Sequence, residues 1–90
     1  MVEVPVQLEA GDRAVATGYA SNLLSLICPC AYPPGKPMAL RAEIAGTRLS
    51  LEGKSTGSRV REDGRFDVKL RLVSLRREDR ALLEQLFAQP

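Results

Sequence analysis

Between residues 66 and 72 apolar and charged side chains alternate without a break. Phe66, Val68, Leu70 and Leu72 fall on one side, with Asp67, Lys69 and Arg71 on the other. A period of two demands a strand with one packed face and one wetted face. The same alternation opens the chain, where Val2, Val4, Val6 and Leu8 are separated by Glu3, Pro5 and Gln7. Strand one is therefore assigned to residues 2–8, with Pro5 suited to an edge or bulge because it has no N–H to donate. "RAVATGY" and "NLLSLIC" read as two further short strands or one long bent one, and "YPPGKP" as a loop with Pro34-Gly35 at the centre of a type II turn.

Two hairpins follow. In residues 38–53 a two-residue Gly46-Thr47 turn sets Ile44 opposite Leu49, Ala42 opposite Leu51 and, on the other face, Arg41 opposite Glu52. In the second hairpin a two-residue Asp63-Gly64 turn would mix the faces. A three-residue loop, Glu62-Asp63-Gly64 with Gly64 left-handed in a bulge, instead pairs Val60 with Phe66 and Arg59 with Asp67. The period then changes to that of a helix. Leu75, Leu82, Leu83, Leu86 and Phe87 share one face, which predicts a helix over about 76–88 with Ser74 as its N-cap and Glu78 and Asp79 at its positive end.

Six short antiparallel strands within residues 2–73 and one terminal helix make a mainly β fold, closed most economically as a six-stranded barrel. The chain has 90 residues, which is room for one domain spanning 1–90 and no separate catalytic lobe. It contains no histidine, so Ser-His and Cys-His nucleophile pairs are excluded, and no paired carboxylates suggest acid-base work. The chain is read as not an enzyme. Cys28 and Cys30 are expected to be free thiols, and a zinc site would need two more ligands, so no metal is assigned. A net charge of +2 and four aromatic residues disfavour a nucleic-acid platform. No apolar run is long enough to span a bilayer and the N-terminus lacks the pattern of a secretory signal, so a cytoplasmic protein without membrane insertion is expected.

The order of elements and several phrases, "PPGKPMALRAEI", "LSLEGKSTGSRV", "DGRFDVKLRLVSL" and "REDRALLEQL", resemble the PilZ domains of bacterial signalling. The resemblance covers nearly the whole chain and implies a six-stranded barrel with a C-terminal helix. Family members bind cyclic di-GMP through an Arg-x-x-x-Arg before the first strand and an Asp/Asn-x-Ser-x-x-Gly at the start of the third element. In this chain the arginine motif has no match: Arg13 is the first arginine and none follows four residues on. If Ser25 stands for the motif serine, Leu23 takes the Asp/Asn position and Cys28 the glycine position, and aligning Asn22 instead needs one inserted residue.

The resemblance therefore implies a degenerate member that acts by protein–protein contact in signalling or motility, without a cofactor. Its contact surface is expected at Tyr32, Leu83 and Phe87, with a core role as the alternative for Leu83 and Phe87 and capping of the Pro-rich loop as the alternative for Tyr32. The competing expectation is cyclic di-GMP binding through a remnant site of Asn22, Ser25, Arg59, Arg61 and Arg71. Two copies of the chain would pair through a strand edge near Pro5 or through the helix stripe.

Overall fold

Each alternating segment must bury its apolar side, and six of them do so by rolling round one another. The computed structural model describes residues 3–9, 11–44 and 46–87. Its elements are β1 (Val4–Leu8), β2 (Arg13–Ala20), β3 (Leu23–Cys28), β4 (Pro37–Ile44), β5 (Thr47–Val60), β6 (Phe66–Val73) and α1 (Arg77–Phe87). All ladders are antiparallel, and the strands close in the order β1-β2-β3-β6-β5-β4. The six-stranded barrel with one C-terminal helix is as expected. Val2 and the last predicted helical residue, 88, lie outside the described residues.

The interior is filled by the inward member of each alternation, among them Leu24, Leu26, Leu40, Leu49, Val68 and Leu70, all nearly inaccessible to solvent. Each such leucine contributes about 1.5–3 kcal/mol relative to its exposed state. Closure leaves β1 paired on both flanks, with β2 and with β4, so the expected open edge at Pro5 is absent. Pro5 is nevertheless well placed, because its pairing to β2 is matched by a β4 ladder that begins only at Val6.

The first hairpin differs from its expected register. Ile44 pairs with Thr47, Ala42 with Leu49, Leu40 with Leu51 and Arg41 with Ser50, so Thr47 belongs to β5 and not to a Gly46-Thr47 turn. Gly46, at φ +79°, supplies the left-handed turn one position later in the loop than predicted. The two registers differ by two residues, so every side chain keeps its face while its partner changes. Arg41 loses Glu52, which sits opposite Ala39, and Glu43 faces Arg48.

The second hairpin has the three-residue loop. Val60 pairs with Phe66 and Arg59 with Asp67, the Arg61 and Arg65 backbones bridge its ends, and Gly64 has φ +87°. Between Ser55 and Ser58 the β5–β6 ladder slips by one residue, with Thr56 and Gly57 bulging opposite Lys69. Ser55 thereby points inward and is buried; its hydroxyl donates to the Tyr32 carbonyl (3.1 Å) and accepts from the Gly57 N–H (3.1 Å). The Ser58 hydroxyl accepts from the Tyr32 N–H (2.7 Å) and donates to the Tyr32 carbonyl (2.6 Å). The Pro-rich loop is thus bolted to the bulge. Its turn is type II as predicted, with Gly35 at φ +85° and the Lys36 N–H donating to the Pro33 carbonyl.

Helix α1 lies against β2. Leu83 enters the core, and Leu75, Leu82, Leu86 and Phe87 pack against it half-buried. Ser74 is not the N-cap. It sits at the end of β6 with φ +55°, and the first helical bond runs from the Arg80 N–H to the Arg76 carbonyl (2.9 Å), so Arg76 holds the cap position. Glu78 and Asp79 still place negative charge in the first turn. No described helix is long and apolar enough to cross a membrane.

Candidate functional site

The segment "SNLLSLICPC" builds a hairpin and one wall of the barrel. Ser21 and Asn22 have φ of 52° and 66°, the two left-handed residues of a type I′ turn joining β2 to β3. Asparagine tolerates this conformation better than most residues. Its side chain is engaged at both ends: Nδ2 donates to the Leu72 carbonyl (2.8 Å), and Oδ1 accepts from the Tyr19 hydroxyl (3.3 Å). The Asn22 carbonyl also accepts from the Leu72 N–H (3.0 Å), so this one residue extends the β3–β6 ladder beyond Leu23. Beyond the turn Leu24, Leu26 and Cys28 point into the core, while Leu23 and Ser25 remain half-exposed outside.

Ser25 lies between Gly18 on β2 and Lys69 on β6. It opens on a shallow cleft of about 570 Å³ that is also lined by Thr17, Thr56, Ser58, Arg59 and Lys69. Of the remnant-site residues, Ser25 and Arg59 are therefore brought together. The other three are not. Asn22 borders a different cleft beside Tyr19, Arg80 and Glu84. Arg61 is drawn away by Asp67 (2.7 Å) and Asp63 (3.8 Å), and the Asp67 hydrogen bond holds the guanidinium more firmly protonated than usual. This ion pair also corrects the expected Arg59–Asp67 contact: the two are register partners, but Asp67 bonds to Arg61. Arg71 is exposed one step along the same face, opposite Leu23 on β3 and Lys54 on β5.

The surface expected to contact a partner is corrected as well. Tyr32 is buried beneath its loop, with the Lys36 ammonium 5.3 Å from its ring centroid, and Leu83 is buried in the core. Phe87 is half-buried against the core. Tyr32 and Leu83 therefore belong to the core and offer no exposed apolar surface, whereas Phe87 keeps part of its ring exposed. Among the described residues the exposed large hydrophobics are Val60 and Val73, at opposite ends of the β5–β6 pair.

The two thiols are free, Cys28 buried and Cys30 exposed. Burial pushes the Cys28 thiol up to about 11, with lesser contributions from Cys30 and Asp12, which leaves it a poor nucleophile. The Cys30 Sγ lies 3.8 Å from an Asp12 carboxylate oxygen, a weak contact. Among the described residues no group of three or more His, Cys, Asp or Glu is placed to hold a metal ion.

Sequence reasoning missed Lys54 and Lys69. The pairing of Val60 with Phe66, continued without interruption, puts Lys54 opposite Leu72; the one-residue slip at Thr56-Gly57 puts it opposite Arg71. The legible signal was Gly57, an isolated glycine inside a strand pattern, at φ +133°. No protein-family model, curated protein or solved structure matches the chain. The likeness to PilZ domains therefore rests on the order of elements and the phrases quoted above.

Proposed function

We propose that the chain is a non-catalytic, PilZ-like module of the bacterial cytoplasm that works by contacting another protein in signalling or motility and does not take cyclic di-GMP as its ligand. One observation carries this reading: Asn22, the one Asp or Asn in the degenerate motif, already has both ends of its amide engaged by Tyr19 and Leu72. The position where the motif has glycine is the buried Cys28, whose side chain points into the barrel, and with Ser25 aligned the Asp/Asn position is the apolar Leu23. A dianionic ligand would thus find neither a free amide nor a close backbone approach at these positions of the strand.

A second reading has one observation in its favour. Ser25, Arg59 and Lys69 line the same cleft, and together they offer a hydroxyl and two cations to a phosphate. Calorimetric titration with cyclic di-GMP at moderate ionic strength decides between the readings. The adaptor reading expects no heat from a folded, soluble chain. Saturable binding that Ser25→Ala and Arg59→Ala abolish overturns it.

A further inference from the structure

Lys54 and Arg71 are direct cross-strand partners on the outside of the barrel. Like charges so placed repel and weaken a sheet, yet nothing between them relieves the repulsion. Lys69 follows two residues from Arg71 along β6, and Arg59, opposite Asp67, comes two residues further. At a strand rise of about 3.3 Å per residue this cationic strip extends roughly 13 Å. None of the four makes an ion pair among the described residues. Two carboxylates border the strip: Asp67, which Arg61 neutralises, and Glu52, at the far end opposite Val73. The neighbouring strand β3 turns the uncharged Leu23, Ser25 and Ile27 to this side. Four of the chain's thirteen lysines and arginines thus stand together here, although the net charge of the whole chain is only +2.

We propose that this outward face of β5 and β6, built by Lys54, Arg59, Lys69 and Arg71, docks an acidic segment of a partner protein. The inference rests on the adaptor reading and supplies the chemistry of its partner. The bulge is the device that makes the face, since without the slip at Thr56-Gly57 Lys54 would stand opposite Leu72. An elongated strip suits carboxylates spaced along a peptide better than a compact anion, which one or two of these side chains would satisfy. A single-stranded nucleic acid would need aromatic platforms for its bases, and the outward residues of β3, β5 and β6 include none.

The test is a two-dimensional amide NMR titration of the full chain at low ionic strength with an Asp-Glu repeat peptide. An Asn-Gln repeat peptide, oligothymidylate and cyclic di-GMP serve as comparisons. Saturable shifts centred on Lys54, Arg59, Lys69 and Arg71 are expected with the acidic peptide alone, weakened about tenfold by Lys54→Gln combined with Arg71→Gln. Added salt should weaken them further. Shifts that are absent, centred elsewhere or unchanged in the double variant overturn the proposal, as does tighter binding of oligothymidylate. A stability measurement guards the variant: Lys54→Gln should raise the unfolding midpoint by relieving the repulsion, and a lowered midpoint counts against the opposed-charge argument. Binding of cyclic di-GMP would sink the adaptor reading, whereas failure of the peptide with cyclic di-GMP also silent would sink this inference alone.

Discussion

Replacing Asn22 separates its structural role from any role in binding a ligand. Asn22→Ala removes a 2.8 Å donor to the Leu72 carbonyl and the acceptor of the Tyr19 hydroxyl, both part-buried. Losing these bonds and leaving their partners unsatisfied costs about 1–2 kcal/mol. Alanine must also occupy φ 66°, which adds about 1 kcal/mol that asparagine largely avoids. The sum of about 2–3 kcal/mol corresponds to a Tm lowered by roughly 10–20 °C in a domain of this size. Asn22→Gly keeps the turn conformation and loses only the side-chain bonds, so it should fall between wild type and Asn22→Ala. Urea and thermal unfolding followed by circular dichroism measure both variants. The reasoning fails if Asn22→Ala unfolds with the wild-type midpoint, or if glycine and alanine are equally damaging, because the left-handed turn would then contribute nothing.

Further outcomes follow from other contacts. Gly53→Ala should destabilise by about 1–3 kcal/mol in denaturant unfolding, because a Cβ there would overlap the Arg71 backbone carbonyl, which no rotamer change can relieve. Ser55→Ala, which leaves the Gly57 N–H without its acceptor while the Tyr32 carbonyl keeps the Ser58 hydroxyl, should cost about 1–2 kcal/mol by the same assay. Under native conditions a thiol reagent should titrate Cys30 alone, and both cysteines in denaturant. The Cys28 thiol is raised from 9.0 to about 11, so its contribution to stability is present below pH 9 and lost as pH rises toward 11; Cys28→Ala should flatten that alkaline loss in a pH series of unfolding midpoints. The Arg65 hydrogen bonds hold the exposed Asp63 carboxyl below its usual range, so Arg65→Gln should move its NMR titration midpoint up toward the ordinary aspartate value.

What could be read from the sequence was whatever a strict period or a single turn decides. Strand β6 and its three-residue hairpin loop were legible because the face-mixing alternative at Asp63-Gly64 eliminates itself. The β4–β5 faces were legible while their partners were not, since two registers two residues apart bury the same leucines and the choice rests on which loop position Gly46 occupies. The cap at Ser74 was misread because a left-handed residue at the strand end turns the chain three residues before the helix begins. The candidate site was half legible. Ser25 and Arg59 do line one cleft, but Asn22 is claimed by Tyr19 and Leu72 and Arg61 by Asp67; of these contacts the Leu72 bond depends on long-range strand placement, while the other two are made within a turn and a hairpin. Lys54 became part of a cationic face only through a one-residue slip, which alternation alone does not locate.

On the proposed reading, the strand that resembles a ligand motif serves the barrel and not a nucleotide. Amide NMR of the isotope-labelled chain titrated with cyclic di-GMP tests it most directly, because Ser25, Gly57, Lys69 and Asn22 report separately. These resonances should stay in place as the nucleotide is added in excess. Saturable, coincident movement of Ser25, Gly57 and Lys69 would contradict it and establish the cleft between β3, β5 and β6 as a nucleotide site.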